Sequence, residues 1–328
     1  MNMPLKPWRP GITRRKAITI FAVSAALVAA GRGSANARLY EWTGIALGAD
    51  ARILLSTSDP EAARASIEAA MAEVARLEAI FSLFDENSEL VRLNRDKSLP
   101  QPSQDMRRLI ALCRTVHAAT GGLFDLSIQP LWRFYFDWFS KGRRRGMPPA
   151  DEIARRMANV DFGQVQFSEA GLSLPAGAEL TFNGVAQGYI TDCVAQTLQR
   201  MGWTNVLIDI GEVRALDSRP DGADWQIKIR EGARHVPLRN TALAISAGES
   251  LVFSLQDGLT HILNPRTGLS PNYWRYIGVE HASAAVADAL STALYLADAG
   301  AIARASPNFS PVTIMAEDMQ GRPFTCFA

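Results

Sequence analysis

The chain has 328 residues and a formal net charge of +1, with 34 Lys and Arg against 33 Asp and Glu. That length allows one large domain or two small ones around a proper hydrophobic core, and so even a charge balance leaves no electrostatic footprint for nucleic acid or an anionic membrane. The three cysteines, Cys113, Cys193 and Cys326, are widely spaced and lack metal or redox spacing, so at most one disulfide can form.

The first feature in chain order is a leader. Thr13-Arg14-Arg15-Lys16 precedes an uncharged, mildly apolar stretch at 17–31 and then Ala35-Asn36-Ala37, a small-x-small cleavage pattern. The apolar stretch is shorter than the roughly 18 to 20 residues that cross a bilayer, so a permanent membrane anchor is not expected. The paired arginines, the weak apolar region and the extra Arg32 favour the twin-arginine route over the general secretory one. The expectation is a signal peptide at 1–37, a mature domain at 38–328 and a periplasmic location.

Beyond the leader, helical and strand patterns alternate without internal repeats, the mark of a mixed α and β domain. Apolar residues Ile67, Met71, Val74, Leu77 and Ile80 form a helical stripe at 62–81, preceded by Pro60. A second helical pattern at 106–119 stops at Thr120-Gly121-Gly122, where glycine ends a helix at little steric cost. From 132 to 149 the sequence turns aromatic, then basic and rich in Gly and Pro, and reads as an excursion from the core. Its basic run at 141–145 reads as a solvated loop. Short runs at 206–210, 225–229, 243–246, 276–279 and 312–315 read as strands separated mostly by turns, which predicts an α+β fold with a largely antiparallel sheet. Further helices are expected at 188–201 and 284–299.

Four segments carry residues suited to chemistry, each with a plainer alternative. Asn183-Gly184-Val185-Ala186-Gln187-Gly188 leads into a helix whose start can hold phosphate, yet it lacks dinucleotide spacing and fits an ordinary strand-to-helix turn. Asp288 and Thr292 lie one helical turn apart and offer oxygen ligands for Mg²⁺, or a polar stripe. His261, ahead of the turn Asn264-Pro265-Arg266-Thr267-Gly268, can move a proton near neutral pH or serve as a structural histidine. Gly121-Gly122-Leu123-Phe124-Asp125 offers close backbone approach and a carboxylate, or a helix stop with a capping Asp.

In order and spacing these segments resemble the ApbE family, the FAD:protein FMN transferases. The resemblance spans nearly the whole mature chain. It takes in Ala46-Leu47-Gly48-Ala49, Phe81-Ser82-Leu83-Phe84-Asp85, Ser88-Glu89-Leu90, Leu93-Asn94 and the four segments above. It implies an ApbE-like domain that cleaves FAD at its pyrophosphate, releases AMP and esterifies FMN to a Thr or Ser hydroxyl of a target protein. On that resemblance Asp288, Thr292 and the Gly184 carbonyl would hold Mg²⁺. Leu47, Phe84, Leu123, Phe124, Asp125, Thr181, Gln187 and Ile262 would line the flavin nucleotide site, and His261 would deprotonate the incoming hydroxyl.

Departures accompany the matches. Thr181 stands where the family usually has Asp, Gln187 where it often has Lys, Gly211-Glu212 in place of Gly-Gly, and Ser246-Ala247-Gly248 in place of Thr-Ser-Gly. The pattern Trp42-x-Gly44 with Leu47-Gly48-Ala49, plus Asn183-Gly184-Val185-Ala186-Gln187-Gly188, looks like the NosX subgroup accessory to nitrous oxide respiration. There the acceptor would be the exported flavin domain of a membrane-bound respiratory electron donor, NosR-like. A FAD pyrophosphatase and a non-catalytic flavin carrier or assembly factor are the alternative functions.

Overall fold

A computed structural model describes residues 38–47, 49–140, 146–229 and 235–328. The leader, Gly48 and the basic run at 141–145 lie outside the described residues. The scaffold is one eight-stranded sheet: β1 (Arg38–Ala46), β2 (Ala49–Thr57), β3 (Val206–Asp209), β4 (Val213–Leu216), β5 (Ala242–Ser246), β6 (Trp274–His281), β7 (Val312–Asp318) and β8 (Pro323–Phe327). Their order across the sheet is their order along the chain, and every neighbouring pair is antiparallel. This is the α+β architecture with an antiparallel sheet expected from the turn-separated strand runs.

Strand alternation assigns the two faces. Ile53, Leu55, Val206, Ile208, Ala244, Ile277 and Val279 point into the main core, whereas Leu54, Leu207, Ala215 and Leu243 point the other way. The second face is covered by the hairpin Trp225–Lys228/His235–Leu238, through Trp225, Val236 and Leu238. On the first face lie three helices: α1 (Pro60–Phe81), α6 (Ala186–Arg200) and α7 (Ala284–Tyr295).

The remaining helices are α2 (Glu89–Asp96), α3 (Gln104–Ala119), α4 (Gln129–Ser140), α5 (Ala150–Met157) and α8 (Ala299–Ala305). α1 starts two residues earlier than its apolar stripe, because Asp59 caps the N–H groups of Glu61 and Ala62 and Pro60 fits the first turn. α3 ends as predicted, with Gly121 and Gly122 at φ 59° and 85°. The aromatic part of the excursion is a helix. Pro130 sits in the first turn of α4, where no backbone hydrogen bond needs its N–H. The aromatic side chains of α4 pack: Trp132 stacks on Phe136 at 5.3 Å, and Tyr135 and Phe139 lie against Phe253 at 6.1 and 6.3 Å. Expected as one helix, 284–299 instead divides into α7 and α8, since Asp298 leaves the helix to cap α8 through Ala301 N–H. Among the described residues no helix is long and apolar enough to cross a membrane.

α6 and α7 are fastened by one carboxylate. Asp192 on α6 accepts from Ser283 Oγ (2.6 Å), Ala284 N (2.9 Å) and Ala285 N (3.1 Å) at the start of α7, and from Arg214 Nη1 (2.9 Å) on β4. A carboxylate at a helix N-terminus is favoured by both the unpaired N–H groups and the macrodipole. Asp192→Ala removes all four bonds and leaves the largely buried Arg214 guanidinium without its counter-charge, bonded among the described residues only to the Ala282 carbonyl. The expected loss is about 3 kcal/mol of stability, seen as a drop of several degrees in melting temperature; an unchanged melting temperature would contradict this role.

Candidate active site

The closest approach of α6 to α7 is made by glycine. A Cβ on Gly188 would collide with the Ala284 carbonyl and lie 2.8 Å from Asp288 Cβ, so only glycine lets the helices meet here. Gly188 N–H then donates to Asp288 Oδ2 at 3.0 Å. One turn along α7, Thr292 faces the segment ahead of α6: a Cβ on Gly184 would lie 2.9 Å from Thr292 Oγ1. Gly184 thus meets Asp288 and Thr292, about a hundred residues further along the chain, at the α6–α7 contact. Gly188→Ala offers no flexible side chain to yield, and overpacking of this kind costs about 3 kcal/mol. The expected result is a protein with lowered melting temperature and weakened ligand binding at Asp288; a fully stable Gly188→Ala variant would count against the tight contact.

Asp288 is buried, 5% exposed, and burial pushes its carboxyl up to about 7, opposed by the Gly188 N–H. Beside it is Glu212, in the turn between β3 and β4. Burial raises the Glu212 carboxyl well above its ordinary range, the charges of Asp288 and Asp209 raise it further, and Ile245 N–H pulls the other way. Sequence reasoning registered Glu212 as a departure from glycine and gave it no role. No local sequence signal marks it, because its significance comes from being buried near Asp288, which lies far away in the chain. Among the described residues no three His, Cys, Asp or Glu side chains form a closed metal cage. What is present is the Asp288 carboxylate and the Thr292 hydroxyl one turn apart on α7, with Gly184 packed against the threonine; hard oxygens of this kind suit a divalent cation that keeps part of its shell for water or substrate.

His261 follows the short pair Val252–Ser254/Leu259–Thr260. Its backbone N and its Nδ1 both lie against Leu251 O, at 3.0 and 3.1 Å. A carbonyl only accepts, so Nδ1 carries the proton and Nε2 keeps its lone pair. Burial lowers the pKa of the ring, opposed by the Leu251 bond. The aromatic cluster of α4 holds this segment by enclosing Leu259 and Leu263 on either side of the histidine. A second tie runs to α7: Gly248 lies so close to both Tyr295, in the last turn of α7, and Thr260, the residue before His261, that a Cβ there would strike both side chains. The turn after His261 is joined to the 121–125 turn, because the Arg266 guanidinium donates to the Gly121 carbonyl, and Tyr135 Oη donates to Gly268 O at 3.0 Å.

The other sequence-predicted residues are distributed around this frame. Asp125 caps the turn Leu126–Ile128, accepting Ser127 N–H (2.8 Å), Ser127 Oγ–H (2.5 Å) and Phe162 N–H (3.1 Å). Phe124 and Ile262 are buried in the main core, and Leu123 is half-buried against it. Thr181 joins the same turn through its N–H to Leu126 O at 2.9 Å, and its hydroxyl accepts Asn183 N–H at 3.2 Å. Asn94 sets that strand of chain in place by bonding Leu180 O and N at 2.8 and 2.7 Å. Gln187 lies with its amide against Gly211. Leu47, at φ 54°, donates its N–H to Glu78 near the end of α1, and Phe84, just past that helix, stands 94% exposed.

Fold and site together define an α+β protein with an oxygen-donor centre at a helix pair and a histidine presented from a separate turn. The sequence matches the ApbE family over residues 47–311, and the chain belongs to that family. It is 28% identical over 264 residues to the FAD:protein FMN transferase of Haemophilus influenzae, covering 73% of this chain and 74% of that protein. It is 24% identical to the FAD:protein FMN transferase of Chlamydia pneumoniae, covering 75% of this chain and 81% of that one. The crystal structure of the apo form of the Pseudomonas stutzeri flavinyl transferase ApbE superposes with a TM-score of 0.74 at 25% identity, over 89% of this chain and 96% of that one. The ApbE protein of Thermotoga maritima gives a TM-score of 0.76 at 23% identity, over 87% and 96%, a likeness of fold.

Proposed function

We propose that this ApbE-family chain is an FAD:protein FMN transferase that uses Mg²⁺ and acts on a Thr or Ser hydroxyl of an exported flavoprotein domain. The observation that carries it is the meeting of Gly184, Asp288 and Thr292 at the α6–α7 contact, with His261 held from a second element. The donor set fits Mg²⁺: the Asp288 carboxylate, the Thr292 hydroxyl and the Gly184 carbonyl are hard oxygens, and Gly184 leaves the space that a Cβ would fill. Bound there, Mg²⁺ supplies the positive charge that offsets the pyrophosphate.

His261 Nε2 accepts the proton of the acceptor hydroxyl, whose oxygen attacks the FMN phosphorus. The P–O bond to the AMP side breaks, and AMP leaves with the bonding electrons. Leu251 O keeps the ring in the tautomer this requires. The Arg266 contact keeps the 121–125 segment beside the histidine turn, and Thr181 N–H to Leu126 O holds the 180–181 segment, fixed by Asn94, against the turn that follows it; a flavin nucleotide would lie along these segments. Mixing the mature protein with FAD, Mg²⁺ and a candidate acceptor domain should give a fluorescent acceptor band on a denaturing gel; free FMN and AMP with an unlabelled acceptor would indicate a pyrophosphatase instead.

The acceptor side rests on two sequence features. The twin-arginine leader supports a periplasmic protein, and the Trp42-x-Gly44 pattern supports a NosX-like role, with a NosR-like respiratory electron donor carrying the flavin. Replacing Arg14 and Arg15 by Lys should retain the protein in the cytoplasm; continued export would remove the twin-arginine reading.

A further inference from the structure

Asp288 has a neighbour to which flavin transfer by itself gives no task. Glu212 is 8% exposed, and Ile245 N–H on β5 donates to its carboxyl group. Its turn is pinned to the start of α6. Gly211, at φ 108°, lies against the Gln187 amide so closely that a Cβ would come within 2.5 Å of Nε2. One residue further along α6, Gly188 N–H holds Asp288. Gln187 and Gly188 are consecutive, so the Glu212 turn and Asp288 converge on the first turn of the same helix. On the other side, Ile245 precedes Ser246, whose hydroxyl bonds Ser291 of α7 at 2.8 Å, three residues from Asp288.

The charged groups that act on Glu212 are Asp288 and Asp209, both acidic. Asp209 takes the Gly211 N–H and faces Arg52. Two acid groups buried together repel strongly when ionised, and the arrangement is costly unless a cation joins them. Mg²⁺ is commonly held by one or two carboxylates, with water and substrate phosphate completing its shell.

We propose that Glu212 is a second carboxylate of the divalent-cation site, which lets the chain bind Mg²⁺ before FAD arrives. The proposal rests on the reading of Gly184, Asp288 and Thr292 as that site. With Asp288 alone, one negative charge faces the ion and FAD phosphates must supply the rest. With Glu212 added, the protein balances the divalent charge without substrate, and the cation then attracts the pyrophosphate.

The test is calorimetric titration of the purified protein with MgCl₂ in the absence of FAD, for wild type, Glu212→Gln, Glu212→Gly and Asp288→Ala, with each variant's metal-free melting temperature recorded. The expected result is a single Mg²⁺ bound by the wild type, and affinity lowered by about 10–100-fold in Glu212→Gln and Glu212→Gly. The metal-free melting temperature of Glu212→Gln, which keeps a side-chain oxygen for Ile245 N–H, should stay near that of the wild type, so that the lost affinity is not loss of the fold. Glu212 variants that bind Mg²⁺ as tightly as wild type, while Asp288→Ala does not, would overturn the role of Glu212 and leave the cation site standing. Identical binding by wild type and Asp288→Ala would overturn the cation site itself and Glu212 with it. Absence of Mg²⁺ binding to the wild type without FAD, with binding restored by FAD, would overturn the order of assembly.

Discussion

Asp288→Asn is expected to lower flavin transfer roughly a thousand-fold, the rate equivalent of about 4 kcal/mol, because charge stabilisation at a transferring phosphate depends on a cation this side chain would anchor. The substitution keeps the size of the side chain and an oxygen for Gly188 N–H, so the loss should appear without unfolding. Proton competition gives a second signature. Burial holds the Asp288 carboxyl at about 7, so Mg²⁺ binding should strengthen as pH rises through neutrality and the acid deprotonates. The stability of the metal-free protein should run the opposite way. The folded-state pKa is above the ordinary 3.8 of the unfolded chain, so this group favours the fold fully below about pH 4, and that contribution is lost as pH rises through about 7. Saturating Mg²⁺ should abolish the decline. A variant that transfers flavin at the wild-type rate, or a wild-type protein whose Mg²⁺ affinity ignores pH, would contradict the role.

His261→Ala should cut turnover by about 10²–10⁴-fold, the range over which a positioned base contributes, with little change in FAD affinity. Burial lowers the ring pKa from its ordinary 6.5, so Nε2 remains unprotonated at pH values where an exposed histidine is half charged. The acid limb of the wild-type rate profile should therefore fall below pH 6.5 and disappear in His261→Ala. Retention of the limb would assign it to another group. An unaltered rate would make His261 a structural residue of the Leu251 turn.

How far the sequence speaks differs along the chain, for physical reasons. α1 and α3 are legible because their buried residues recur at helical spacing and their ends carry Asp59, Pro60, Ser103 and two glycines. Of the central strands, β3, β5, β6 and β7 are legible because both faces of the sheet are covered, which makes them short apolar runs, whereas β2 and β4 are not among the runs predicted from the sequence. β1 and β8 are not, because edge strands with one half-covered face carry mixed residues; Phe327 on β8 is 75% exposed. α4 is hidden by Pro130 and by aromatic residues on more than one face, which a partner cluster absorbs.

At the site, the pair Asp288 and Thr292 and His261 could be singled out because each stands in a short local pattern. Asp192 and Glu212 could not. Asp192 caps a helix 91 to 93 residues away, and Glu212 gains its significance from being buried beside a residue on α7. Both facts are products of the α6–α7 contact and have no local signature. Asp125 shows the converse: a carboxylate attractive in sequence is bound in the structure to Ser127 and Phe162.

The most direct measurement is intact-protein and peptide mass spectrometry of an acceptor domain incubated with this protein, FAD and Mg²⁺, with AMP quantified in the same reaction. The account predicts one Ser or Thr of the acceptor gaining FMN less one water, with one AMP released per modified chain, and neither product formed by Asp288→Asn. FAD turned over to FMN and AMP with the acceptor mass unchanged would contradict it.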